Sequence, residues 1–221
     1  LQRSAAEIAM TGNRRGVRST YRHGDLRRAL LDAGIALARD GGPDAVVLRE
    51  ATRRAGVVPN AAYRHFASRD ELLQAVRSEA LAALAAAMVS ELRRLPDTGD
   101  PAAFARANLR AIGAAYIAFA QREPGLFRTA FAGSAAAAAK PGEARPVNAA
   151  PGPFELLGAA LDLNVRAGTL RPERRPGAEF LAWSAVHGLS MLVIDGPLRR
   201  LTRSDRAAVT AALLDMVEKG L

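Results

Sequence analysis

Apolar residues recur along most of this chain at spacings of three and four, the period of a helix with one buried face. Between Asp25 and Arg39 they fall at Leu26, Leu30, Ala33 and Leu37, and Gly41-Gly42-Pro43 stops the run. Leu48 to Ala55 fits a two-turn helix ended by Gly56, and Pro59 suits the first position of another that reaches about His65. Ser68-Arg69-Asp70-Glu71 has the form of a capping box. The helix it opens carries Leu72, Leu73, Val76, Ala80, Leu84 and Met88 and continues to about Leu95. Asp100-Pro101 opens a helix to about Arg122, and a short one follows from Pro124 to Phe131. Three more are expected at about 154–167, 177–195 and 204–219, the last capped by Ser204.

No stretch alternates in twos and no hairpin signature occurs, so the expected fold is all-α, about nine helices, without a repeat of fixed period. Two segments break the helical pattern. Thr11 to His23 is aperiodic and carries Arg14, Arg15, Arg18 and Arg22, which reads as a flexible basic arm. Gly133 to Pro153 combines an alanine run with four prolines and three glycines and reads as a mobile loop. The expected organisation is an arm over 1–23 (1–9 set aside as upstream sequence), a compact three-helix unit over 24–70 and a larger helical domain over 71–221.

Composition narrows the function. With no cysteine among 221 residues, disulfides, thiolate metal sites and cysteine nucleophiles are excluded. No apolar run reaches about 18 residues, so no membrane-spanning helix is expected. Nor does the start read as a signal peptide, and a cytoplasmic location is expected. The net charge of +9 is uneven: residues 1–66 hold 12 Arg against 6 acidic residues, while the other 155 residues carry a net +3. An anionic partner is therefore sought in the first third. Catalysis finds no support. His23, His65 and His187 are far apart, and no zinc-protease, nucleophile-elbow, phosphate-loop or dinucleotide motif is present. No metal and no cofactor is expected.

The informative pair of helices is the second and third, joined through Gly56-Val57-Val58. Short helices around a glycine turn form a helix-turn-helix, whose second helix enters the DNA major groove. Ala51, Ala55, Val57, Ala62 and Phe66 supply its inner face. The run Ala55-Gly56-Val57-Val58-Pro59-Asn60-Ala61-Ala62-Tyr63-Arg64-His65-Phe66, followed by Ser68-Arg69-Asp70-Glu71-Leu72-Leu73, resembles the N-terminal domain of tetracycline-repressor (TetR) family regulators. Farther on, Trp183-Ser184-Ala185-Val186-His187-Gly188 resembles the W-x-x-x-H-G motif of one C-terminal subtype.

That resemblance implies a homodimeric repressor on palindromic double-stranded DNA, released by a small-molecule effector. It implies base contact by Arg49, phosphate contact by Tyr63 and His65, and a basic residue, Arg69, at the start of the fourth helix. Pro59, Asn60, Ala61 and Arg64 belong to the presented recognition helix. The sequence departs from the pattern at Val47 and Val58, where Thr and Ser would cap the helices. Each lost cap is worth about 1 kcal/mol. Those losses motivate an alternative, a helical small-molecule-binding protein with weakened DNA contacts. The basic arm motivates another, a non-specific DNA-coating protein. Arg53 and Arg54 read as solvated surface.

Two further expectations concern the larger domain. The 177–195 segment carries Phe180, Leu181, Trp183, Val186, Leu189, Leu192 and Val193 around much of its circumference. With Val209, Leu213, Leu214, Met216 and Val217 of the last helix, it is expected to form a four-helix homodimer interface. Six of the seven Phe lie beyond residue 100. Phe104, Ile112, Tyr116, Phe119, Phe127, Phe131, Phe154, Leu157 and Leu161 are candidate lining for an apolar or aromatic effector, with simple core packing as the equal alternative. Trp183 and His187, four apart on one helical face, are open between core and ligand contact.

Overall fold

The computed structural model describes residues 23–97, 99–132 and 150–221. The basic arm, and residues 133–149 of the proline-rich loop, lie outside them. Among the described residues there are nine α-helices and no strand: α1 His23–Gly41, α2 Leu48–Ala55, α3 Pro59–Ala62, α4 Arg69–Leu92, α5 Pro101–Arg122, α6 Pro124–Phe131, α7 Pro153–Arg166, α8 Ala178–Ile194 and α9 Arg203–Gly220. Short 3₁₀ turns at Pro43–Ala45, Pro172–Arg174 and Pro197–Arg200, each led by a proline, were not expected from periodicity.

Local chemistry sets most of the boundaries. At the start of α4, Ser68 Oγ accepts from the Glu71 amide at 3.2 Å, and Glu71 Oε2 accepts from the Ala67 amide at 2.6 Å. Asp100 Oδ1 caps α5 through the Ala102 amide at 2.8 Å. The cap of α9 is Thr202 rather than Ser204, because Thr202 Oγ1 is the group that accepts from the Asp205 amide, at 3.2 Å. Gly56 ends α2 in the left-handed region, φ 67°, and Val57 donates back to the Thr52 carbonyl at 3.1 Å. A side chain there would strain the turn that aims α3.

The third helix is shorter than expected. Regular α-helix ends at Ala62, and Tyr63–His65 form a turn held by His65 and Phe66 amides donating to the Ala62 carbonyl at 2.9 Å. With Ala61 donating to the Val58 carbonyl at 3.0 Å, three- and four-residue hydrogen bonds mix along the segment and tighten the chain into a turn.

Helix α4 is the spine. It packs against α1, α5, α6 and α7, burying a stripe of Leu72, Val76, Ala80, Leu84 and Met88 at intervals of four. The expectation that no segment is apolar enough to cross a membrane is corrected here, since this 24-residue helix is long and apolar enough by length and composition. Its alanines raise its hydropathy, yet its large side chains on the stripe are already covered by protein. Helix α5 buries Leu109, Ile112, Tyr116, Ile117 and Phe119, and contacts α4, α6, α7, α8 and α9. The core is continuous from Leu30 and Phe66 at one end to Val193 and Leu214 at the other.

Candidate functional site

The helix-turn-helix holds a buried inner side and an exposed outer one. Leu48, Ala51, Ala62 and Phe66 are buried, and the Arg27 guanidinium sits 4.9 Å from the centre of the Phe66 ring. Outward, Arg49, Asn60, Tyr63 and Arg64 are exposed, while Ala61 and His65 are half-buried. Pro59 opens α3. Val47, the residue before α2, makes no side-chain cap, and Val58 is exposed.

Ion pairing separates the arginines. Arg53 forks onto Glu50 at 2.6 and 2.9 Å, holding that carboxylate below its ordinary range, and Arg54 reaches Asp40 at 2.8 Å. Among the described residues Arg49 and Arg64 have no carboxylate partner and remain available to an anion. Arg69 donates from Nε to the Val46 carbonyl and from Nη2 to the Pro43 carbonyl, both at 2.9 Å. It therefore fastens α4 to the turn before α2, and its guanidinium also lies 3.9 Å from the carboxylates of Asp44 and Asp70, so a phosphate would have to compete with both.

The second concentration of candidates lies between α5, α6 and α8. Tyr116, Phe127, Phe131 and His187 are in mutual ring contact, with centroids 4.9–6.2 Å apart, and Trp183 lies 6.0 Å from His187 and 6.1 Å from Phe131. Phe154 meets the Trp183 edge at 5.8 Å. Through this cluster runs one polar thread: Trp183 Nε1 donates to the Tyr116 hydroxyl at 3.0 Å, and that hydroxyl lies 2.8 Å from His187 Nδ1. Burial pushes the Tyr116 phenol up and the His187 imidazole down, so both are neutral near pH 7. The other candidate lining residues divide differently. Ile112, Phe119, Leu157 and Leu161 are buried core, and Phe104 is half-buried outside the ring cluster. Beside Leu161 and Asn164 a cavity of 20 Å³ has room for one water.

Comparison with known proteins agrees with this architecture. Residues 30–76 match the family described as bacterial regulatory proteins, tetR family, and residues 109–217 match the tetracyclin repressor-like C-terminal domain. The chain belongs to the TetR family. It is a DNA-binding transcription regulator and not an enzyme. A Rhodococcus sp. RHA1 protein described as of unknown function is 27% identical, with a TM-score of 0.64 over 92% of this chain and 98% of its own. A TetR family regulator from Marinobacter aquaeolei VT8 shares the fold at 18% identity, TM-score 0.58, covering 87% of this chain and 95% of its own. PfmR, a TetR family regulator from Thermus thermophilus, does so at 21% identity, TM-score 0.55, covering 88% and 95%. No curated protein matches the chain significantly.

In this TetR-family regulator the two regions are joined by α6. Phe127 and Phe131 belong to the aromatic cluster, while Gly125 presses on the end of α1. An added Cβ at Gly125 would fall on the Ala38 carbonyl oxygen and 2.5 Å from that of Arg39. Arg39 Nε also donates to Glu123 Oε2 at 3.1 Å. From the other side, Arg128 forks onto Asp195 at the end of α8 at 2.8–3.0 Å, and Arg77 Nε of α4 donates to the Ala130 carbonyl at 3.0 Å. Gly125, Arg77, Arg128 and Asp195 carried no sequence signal as a group, because their partners lie 53 residues away or more and no local spacing joins them.

Proposed function

We propose that this regulator is a homodimeric repressor that reads a palindromic operator through α2 and α3 and is released by a small effector held in its C-terminal helices. The observation that carries the DNA reading is the division of the arginines. Arg53 and Arg54 are tied up by Glu50 and Asp40, whereas Arg49 and Arg64 stand exposed beside Asn60 and Tyr63. Arg49 contacts a base, Tyr63, His65 and Arg69 contact phosphates, and Asn60 and Ala61 face the groove on the helix that Pro59 opens. The regulator acts in the cytoplasm, where its operator is. Its C-terminal domain is read as the W-x-x-x-H-G kind, with Trp183, His187 and Gly188 around one helix.

The partner subunit is a second copy of this chain. On α8, Leu181, Ser184 and Leu192 lie on one stripe with Gly188, whose missing side chain would meet nothing of its own chain within 4 Å. Leu181 is 67% exposed, and on α9 Met216 is 60% exposed, near Val209 on the same face. Apolar stripes with a glycine at the centre let two helices approach closely, and two such pairs close a four-helix interface. Of the apolar residues expected on this face, Val186, Leu189, Val193 and Leu214 are instead buried in their own domain.

Effector release runs through α6. A ligand inserted among Tyr116, Phe127, Phe131, Trp183 and His187 must displace rings on α6, and the Gly125 contact obliges α1 to follow. The deciding experiment measures binding to the DNA upstream of the regulator's own coding region against random DNA at two salt concentrations. Preference that survives higher salt supports the operator reader. Equal affinity for both DNAs favours the DNA-coating protein, and no binding favours the ligand-binding protein. The uncapped Val47 and the four-residue α3 are the observations on the side of that last reading.

A further inference from the structure

The hydrogen-bond thread in the aromatic cluster has a fixed direction. Trp183 Nε1–H can only donate, so the Tyr116 oxygen accepts from it. The Tyr116 side chain is almost wholly buried, and its hydroxyl proton has one described acceptor, His187 Nδ1, at 2.8 Å. A proton on Nδ1 would leave the buried phenol hydrogen without an acceptor, which costs more than the bond it makes. The imidazole proton therefore sits on Nε2, on the side of the ring turned away from Tyr116. Among the described residues nothing accepts from Nε2, and the ring is half-buried. One face of that ring stacks on Phe127 at 5.5 Å and Phe131 meets it edge-on at 4.9 Å.

We propose that His187 Nε2–H is the recognition donor of the effector site, and that the site takes a neutral aromatic molecule bearing a carbonyl or similar hydrogen-bond acceptor rather than a pure hydrocarbon. Resting on the effector-site reading above, it specifies the ligand's chemistry. Half-buried Phe131 supplies the ring-binding surface, Phe127 backs the imidazole from its buried face, and Tyr116 and Trp183 are positioning residues that hold the imidazole in its donor tautomer. A charged carboxylate is disfavoured, because the imidazole is neutral and its burial resists the cation that would pair with one.

Acetophenone and ethylbenzene, nearly the same shape with and without the carbonyl, test this in full-length protein. Affinity is measured by calorimetry, and the emission of Trp183, the chain's single tryptophan, reports whether the probe sits in the cluster. The expected result is that acetophenone binds about tenfold tighter, against the order that hydrophobicity alone would give. His187→Phe keeps a ring between Phe127 and Phe131 but removes the donor, and its preference should reverse. Tyr116→Phe keeps His187 but frees its tautomer, and should narrow the preference; it also serves if His187→Phe does not fold. Two probes that shift Trp183 emission with equal affinity, or with ethylbenzene ahead, overturn the donor assignment while leaving the effector site standing. Neither probe perturbing Trp183 overturns the effector site and the donor assignment with it.

Discussion

Around α2 and α3 the charged side chains stand at the surface on short helices, and their neighbours are other charges. In the ring cluster between α5, α6 and α8, the Trp183 indole N–H, the Tyr116 hydroxyl and the His187 imidazole run in a single line among aromatic rings. The first arrangement suits a partner that brings its own charge and water, since exposed guanidinium groups lose little on meeting phosphate. The second suits a partner that arrives neutral and displaces packing. Between them, α6 belongs to both: Phe127 lies in the cluster with no exposed surface, and Gly125, two residues earlier, touches the backbone of α1. The effector release proposed above needs such a shared element.

The largest expected effects test that sharing. Phe127→Ala and Phe66→Ala each remove a fully buried ring and should cost about 3–5 kcal/mol in urea unfolding. They should differ in the folded fraction. Phe66→Ala disturbs the reading head directly, while Phe127→Ala should alter DNA affinity only through α6. Unchanged DNA affinity in folded Phe127→Ala would uncouple the two regions. Gly125→Ala comes next, at about 1–3 kcal/mol of overpacking. Because the new methyl pushes α1 and α6 apart, it should weaken operator binding beyond what the stability loss explains. Chemical denaturation and gel-shift titration of the same preparation check both numbers.

The helices were legible because each has a periodic apolar face and a local terminator, as with Ser68 and Glu71 at α4 or Gly56 after α2. The helix-turn-helix was legible for the same reason: its two helices and the glycine turn between them lie within one short stretch. Boundaries failed where two local groups competed, as at Thr202 and Ser204, or where one carbonyl takes two amides, as at Ala62 at the end of the shortened α3. The linkage was not legible. Tyr116 and His187 are 71 residues apart and Arg128 and Asp195 are 67 apart, so nothing in their local sequence states that they meet. Membrane-like character in α4 was missed for another reason, since interspersed polar residues hide an alanine-rich helix from a search for unbroken apolar runs.

Within the reading head, smaller effects separate base from phosphate contacts. Arg49→Ala should cost about 1–3 kcal/mol on the operator and little on random DNA, flattening preference at one base pair per half-site. Tyr63→Phe removes one exposed hydroxyl and should weaken both DNAs alike by about 1 kcal/mol. The informative quantity is the operator-to-random ratio, which Arg49→Ala lowers and Tyr63→Phe preserves. Equal losses on both DNAs for Arg49→Ala would make it a phosphate contact, and would shift base reading to Asn60 and Arg64.

The smallest expected effect belongs to the enclosed region and is a pH dependence. Burial lowers the His187 pKa below its ordinary value of 6.5, so the folded chain keeps this ring neutral where the unfolded chain begins to protonate it. In that window the unfolded state binds more protons, and stability rises with pH. His187 therefore contributes its full share above the unfolded value, and the share is lost as pH falls from there through the folded value. Protonation would also place a donor on Nδ1 opposite the Tyr116 hydroxyl, breaking the direction of the thread from Trp183. The loss should be shallow, because the ring is only half-buried and water screens part of its charge. Urea midpoints measured between about pH 7 and pH 5 should fall less steeply in His187→Phe than in the parent protein. Since every other titrating group is common to both proteins, parallel slopes would mean that the imidazole is as well solvated folded as unfolded.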